Sequence, residues 1–353
     1  MLTPRTKKQL IELEMIKRDT IFYLNLVQNM GKSQKHGILV FGLIPHVSLF
    51  IYETFCYFQK NFPDYARTIN LKYKTILEHS RHRAKLLEEK DFLVFLAHNT
   101  QLDEEHFNRE HTGWFKWRRF FQCDLGLYYY RDNIIHTTTN VYREQIDHKD
   151  LGQNIGAYIG HLYRNIVNAH LSNNDEPNRI IDRLVSYKDV KARKYLPSIF
   201  NGPQNTALNS GILATFAALN YYRYVLTDLV PGSPDTLFKI KYIVLYHSVI
   251  GIEKIKNQYY SELTDRSKDL IERIRADGEV RQKQKTKHFR NILVHYTIND
   301  NVPEANLDQN TYLVELIEHF FPVYSADSLN AEIDKQIDNV LCHLQAWLVD
   351  ERK

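Results

Sequence analysis

An all-α fold is what this chain predicts, and three observations predict it. Apolar residues recur three and four positions apart along most of the sequence, only 13 Gly and 10 Pro interrupt 353 residues, and no run sustains strand-like alternation over several segments. A hydrophobic share of 43%, with 23 Tyr and 18 Phe, supplies enough apolar surface for real cores and excludes wholesale disorder.

The elements follow in order. Leu10, Ile11, Leu13, Ile16, Phe22 and Leu26 mark an amphipathic helix near the N-terminus. Gly37 to Tyr52, GILVFGLIPHVSLFIY, is the most apolar stretch; its 16 residues contain Pro45 and His46 and fall short of the roughly 18 to 20 needed to cross a bilayer, so a buried helix or helix pair is expected and no membrane. A PGSP turn at Pro231 to Pro234 precedes a long core-facing helix carrying Ile240, Ile243, Leu245, Tyr246, Val249 and Ile250. Ile333, Ile337, Val340, Leu341, Leu344 and Leu348 close the chain in the same way.

A length of 353 residues suits two domains. The clearest break is YLPSIFNGPQNTALNSG, with two prolines and two glycines, which predicts an N-terminal module over 1–195, a linker over 196–210 and a C-terminal module over 211–353. A net charge of +4 is too small for a nucleic-acid coat, so any basic function is local. Cys56, Cys123 and Cys342 lie far apart with no CxxC spacing, which points to a reducing compartment, and the opening MLTPRTKKQLIELEMIKRD lacks the apolar core of a secretory signal. Cytoplasmic localisation is the expectation.

One pattern occurs twice. RDNIIHTTTN from Arg131 overlies RNILVHYTIN from Arg290 without a gap, with identities at Arg131/Arg290, His136/His295, Thr138/Thr297 and Asn140/Asn299, aliphatic residues before each histidine, and Asp132 or Asn291 after each arginine. The copies are 159 residues apart, close to a domain length, as duplication of a helical module would give. Arg164 to His170, RNIVNAH, fits a looser spacing but lacks the trailing Thr and Asn and reads as an ordinary amphipathic helix.

R-[N/D/H]-x-x-x-H resembles the signature of the HEPN superfamily, all-helical domains many of whose members are metal-independent ribonucleases; FRNILVHY resembles it most. The resemblance covers two short motifs and the helical background. It implies two helical-bundle modules of HEPN type in tandem and an endoribonuclease cutting single-stranded RNA, with Arg290, His295, Arg131 and His136 as catalytic residues. The chemistry suits them: an imidazole takes or gives a proton near neutral pH, and guanidinium offers fork-shaped donors to phosphate. Asn291 and Asp132 are the polar neighbours that orient histidine or substrate. No metal and no cofactor is implied. The partners implied are RNA, an inhibitory antitoxin or activator protein, and a second copy in a homodimer, with toxin or antiviral defence as the setting. The competing readings are a non-catalytic HEPN-like module that binds nucleotide or RNA, and a helical scaffold.

An offset of five residues turns about 140° around a helix, so arginine and histidine do not share a face by periodicity alone. VRQKQKTKHFR, ending at Arg290, carries five basic residues and no acid; Lys285 and Lys287 are its candidates for guiding RNA, and a solvated face is the simpler explanation. GWFKWRRFF at Gly113 to Phe121 mixes aromatic and basic side chains that suit base stacking, although core packing explains them more simply. His79, His82, His106 and His111 lack the HExxH arrangement or a cysteine supplement for a metal.

Overall fold

The computed structural model describes residues 3–69, 72, 74, 78, 123, 125–137, 148–167, 179–200, 205–276 and 283–348. Helices dominate them, and one three-stranded sheet is minor. The sequence features at Gly113–Phe121, His79, His82, His106, His111, Thr138, Asn140 and His170 lie outside these residues.

Helix α1 (Lys7–Gly31) starts where the Thr6 hydroxyl accepts the Gln9 N–H, a side chain replacing one missing helical bond. It buries Ile11, Met15, Ile16, Phe22 and Leu26, the stripe expected from the sequence. Helix α2 (His36–Asn61) contains the apolar run and Pro45. Its Leu39, Leu43, Val47, Phe50 and Ile51 enter the core, and no described helix is long and apolar enough to cross a membrane. At Gly42 an added Cβ would stand 2.3 Å from the Tyr221 ring, so only glycine admits this close approach.

Strands β1 (Leu125–Tyr130) and β2 (Asn133–Thr137) form an antiparallel hairpin, with β3 (Val185–Val190) antiparallel on the other edge of β1. Arg131 and Asp132 are the two loop residues, both in the left-handed region, with φ of 50° and 61°. Positive φ at both positions matches the twist of the flanking strands. The first copy of the motif is therefore a β-hairpin, and the expected duplication of a helical module is not what the chain forms there. The physical reason is local: Tyr128, Tyr129, Tyr130, Ile134 and Ile135 favour a pleated, half-buried surface, and strands of six and five residues are too short to stand out as alternation. Helix α3 (His148–Leu162) runs into a π-helical turn, Tyr163–Val167.

Helix α4 (Thr206–Asn220) supports β2, with Asn220 Nδ2 donating to the Ile134 carbonyl at 3.0 Å, and continues through a second π turn, Tyr221–Leu226. Helix α5 (Pro234–Tyr259) begins with proline at its first turn and is buried along most of its length. Around it lie α6 (Asp265–Ala276), α7 (Lys283–His295), α8 (Tyr312–Phe320) and α9 (Ala326–Trp347), the last opened by a reciprocal Ser325/Ser328 cap.

A single apolar cluster runs from Ile11 to Trp347. Helix α1 packs on α5, and α2 packs on α7. Of the expected linker at 196–210, residues 201–204 lie outside the described residues; Leu196, Ile199 and Phe200 are buried in that cluster, Phe200 bridges to Leu348, and α4 has already begun at Thr206. Pro197 sits in a turn between Tyr195 and Phe200.

Candidate functional site

The second copy of the motif occupies α7. Angular spacing along this helix sorts its residues: Lys287, His288, Asn291 and His295 fall within about 100° of one another, whereas Arg290 and Phe289 point elsewhere. Burial agrees. Lys287, His288 and His295 are exposed and Asn291 is half-buried, while Phe289 is buried against Tyr242, Phe320 and Phe321. Arg290 is only 9% exposed, its guanidinium 5.0 Å from the Tyr246 ring centroid. Lys285 lies in the first turn of α7.

His295 is the last helical residue, and Tyr296 follows with φ 52°. That left-handed position usually takes Gly or Asn; a bulky residue held there costs on the order of 1–3 kcal/mol and needs surroundings that over-determine it. Three buried acids supply them. Glu53 of α2 accepts from His295 Nδ1 at 2.7 Å, its own side chain 6% exposed against 46% for the histidine. Asp19 of α1 accepts the Tyr296 hydroxyl at 2.6 Å and the Thr236 hydroxyl at 2.9 Å, and pairs with the Lys239 ammonium, which stands 3.9 Å from the Tyr296 ring centroid. Glu12 of α1 accepts the Ile298 N–H at 2.8 Å and the Tyr57 hydroxyl at 2.9 Å.

Burial sets the electrostatics here. It pushes the Glu12 carboxyl above the usual carboxylate range, against the lowering effect of the Ile298 N–H. It holds Lys239 below the ordinary lysine value despite Asp19, and drives the Tyr296 phenol well up. With Nδ1 donating to Glu53, His295 carries its free lone pair on Nε2. Beyond Ile298, a cleft of about 510 Å³ is lined by Thr6, Lys8, Glu12, Asn61, Thr297 and Glu304 among others.

The first copy is built differently. Arg131 Nη2 pairs with Asp228 at 2.6 Å; the Tyr130 hydroxyl reaches the same carboxylate oxygen at 2.7 Å, and the Arg131 backbone N–H donates to the Leu184 carbonyl at 3.1 Å. Asp132 is the exposed second turn residue. His136 is half-buried, its ring stacked on Tyr128 with centroids 6.0 Å apart. Arg131 and Tyr130 fasten the hairpin to the helical turn carrying Asp228, while His136 packs within the hairpin.

The two copies are anchored at different points along α1. Next to Asp228, the Leu229 carbonyl accepts from Asn29 near the end of α1. Asp19, which holds Tyr296, lies about 15 Å back along the same helix. Arg131, Arg290 and His295 each have a partner of their own: Asp228, the Tyr246 ring and Glu53. Arg164, on the π turn after α3, is exposed.

Sequence reasoning passed over Glu53, Asp19, Glu12, Lys239 and His288. One signal was present for Glu53: it is a lone acid inside SLFIYETFCYF, and a carboxylate on an apolar helix face needs a partner. Among the described residues no group of three or more His, Cys, Asp or Glu side chains is placed to hold a metal ion. Compared with protein-family models, curated proteins and solved structures, the chain matches none.

Proposed function

We propose that this chain is a metal-independent endoribonuclease of single-stranded RNA in which His295 transfers the proton. The observation that carries this reading is an exposed histidine whose Nδ1 is held at 2.7 Å by a buried carboxylate, on the same helical stripe as Lys287 and Asn291. A carboxylate that fixes the tautomer leaves Nε2 facing outward as a proton acceptor. Lys287 supplies positive charge to the phosphate and Asn291 an amide donor. Arg290 serves as a positioning residue, seating α7 against Tyr246 rather than clamping phosphate. Arg131, Asp132 and His136 are assigned to the hairpin.

The resemblance of FRNILVHY to the HEPN signature supports the same reaction class. An inhibitory antitoxin or an activator protein, and a homodimer, belong to this proposal as the partners of such an enzyme, and toxin or defence activity as its setting.

The test is cleavage of single-stranded RNA in excess EDTA, with the product ends identified. Ends bearing 2′,3′-cyclic phosphate, lost in His295→Ala and retained in His136→Ala, are expected. A second reading is favoured by the engagement of Arg131 with Asp228 and the burial of Arg290: a non-catalytic module that holds RNA through Lys287 and Asn291. It predicts RNA affinity that falls in Lys287→Ala with no product from any form.

A further inference from the structure

Transesterification of RNA needs two proton-transfer groups, and one histidine per chain supplies only one of them. We propose that His288 is the second, a catalytic residue acting as the general acid opposite His295. This rests on the ribonuclease reading above.

Seven residues of α-helix rise about 10.5 Å and return to within about 20° of the same direction, so His288 and His295 stand two turns apart on one line. Both are exposed, in contrast to Phe289, Ile292 and Leu293 around them, which are buried. Asn291 sits between them on the stripe, and Lys287 borders it. The separation suits the reaction, because the attacking 2′-oxygen and the leaving 5′-oxygen lie on opposite sides of the phosphorus. A phosphate resting at Asn291 meets a histidine on each side and a lysine charge at one end.

The two histidines differ in one respect that assigns their roles. His295 has a carboxylate at Nδ1, Glu53, which can stabilise the imidazolium formed when Nε2 accepts a proton. It is the base: it removes the 2′-hydroxyl proton as the 2′-oxygen bonds to phosphorus. The bond from phosphorus to the 5′-oxygen breaks, and His288 in its protonated form gives that oxygen its proton. The products are a 2′,3′-cyclic phosphate and a 5′-hydroxyl. The proton gained by His295 and lost by His288 are exchanged back through water, so no further reactant is consumed.

Leaving-group chemistry provides the test. The full chain is assayed in EDTA on a single-stranded RNA oligonucleotide and on a nucleoside 3′-(p-nitrophenyl phosphate), whose leaving group departs without protonation. His288→Ala should slow RNA cleavage by about 10²-fold or more, chiefly in kcat, and remove one limb of the pH–rate profile. On the activated ester it should retain most of the wild-type rate, whereas His295→Ala loses both activities. His288→Gln, equally exposed and still a hydrogen-bond donor, checks that bulk or folding is not responsible. Wild-type cleavage with an unimpaired His288→Ala overturns this assignment and leaves the ribonuclease reading standing. Absence of cleavage by the wild type on both substrates overturns the two together.

Discussion

Removing the Lys239 ammonium tests the network that holds the tail of α7. Asp19 has a side chain 6% exposed and Lys239 one 11% exposed, so Lys239→Met leaves a buried carboxylate with only the Thr236 and Tyr296 hydroxyls. Breaking one partner of a buried pair costs about 3–5 kcal/mol, a large share of the roughly 5–15 kcal/mol that stabilises a folded protein. The double variant Asp19→Asn/Lys239→Met removes the charge as well as its partner and should recover at least about 2 kcal/mol of that loss. The recovery is expected because Lys239 is itself disfavoured as an ammonium, burial lowering its pKa more than Asp19 raises it. Urea unfolding followed by far-UV circular dichroism measures all four corners of the cycle. Hydrogen exchange at Ile298, whose N–H is held by Glu12, should accelerate in the single variant. If Lys239→Met costs less than about 1 kcal/mol and the two changes simply add, the pair does not carry the strained Tyr296 turn.

Three further outcomes are expected. His46 is buried beside Tyr222, and burial first, then His247, lower its pKa from the ordinary 6.5 to about 3. Its contribution is complete above the unfolded value and is lost as pH falls toward 3, at about 1.4 kcal/mol per unit, so acidification to pH 5 should cost about 2 kcal/mol and His46→Phe should flatten that slope in pH-dependent urea midpoints. Gly42→Ala drives a methyl into the Tyr221 ring, which its hydroxyl bond to the Leu39 carbonyl holds in place at 2.7 Å; a loss of about 1–3 kcal/mol is expected in the same assay. Glu53→Gln should slow RNA cleavage by about 10² while RNA affinity is kept, and equal kcat in the two proteins would refute the role given to Glu53.

The helical character of this protein, the α1 stripe, the helix entered at Pro234 and the closing helix were legible because each rests on periodicity along one segment. Much of the candidate site was legible too: Lys287, Asn291 and His295 are a stripe that helical spacing alone predicts. What could not be read there was which identical letters adopt the same structure. Arg131 and Arg290 begin matching strings, yet one turns a hairpin and the other is buried in a helix. Four identities in ten positions constrain side-chain chemistry, whereas the backbone answers to its neighbours, tyrosines and isoleucines in one case and a run of helix formers in the other.

Sequence by itself determined the helices, their apolar faces and the polar stripe on α7, since those follow from periods of a few residues. Tertiary structure alone decided that described residues on both sides of 196–210 join one apolar cluster, that Arg131 belongs to Asp228, and that Glu53, Asp19 and Glu12 converge on His295, Tyr296 and Ile298. Those partners are separated by up to 286 residues. No local pattern encodes such a meeting: it arises because a buried carboxylate must find donors wherever packing brings them.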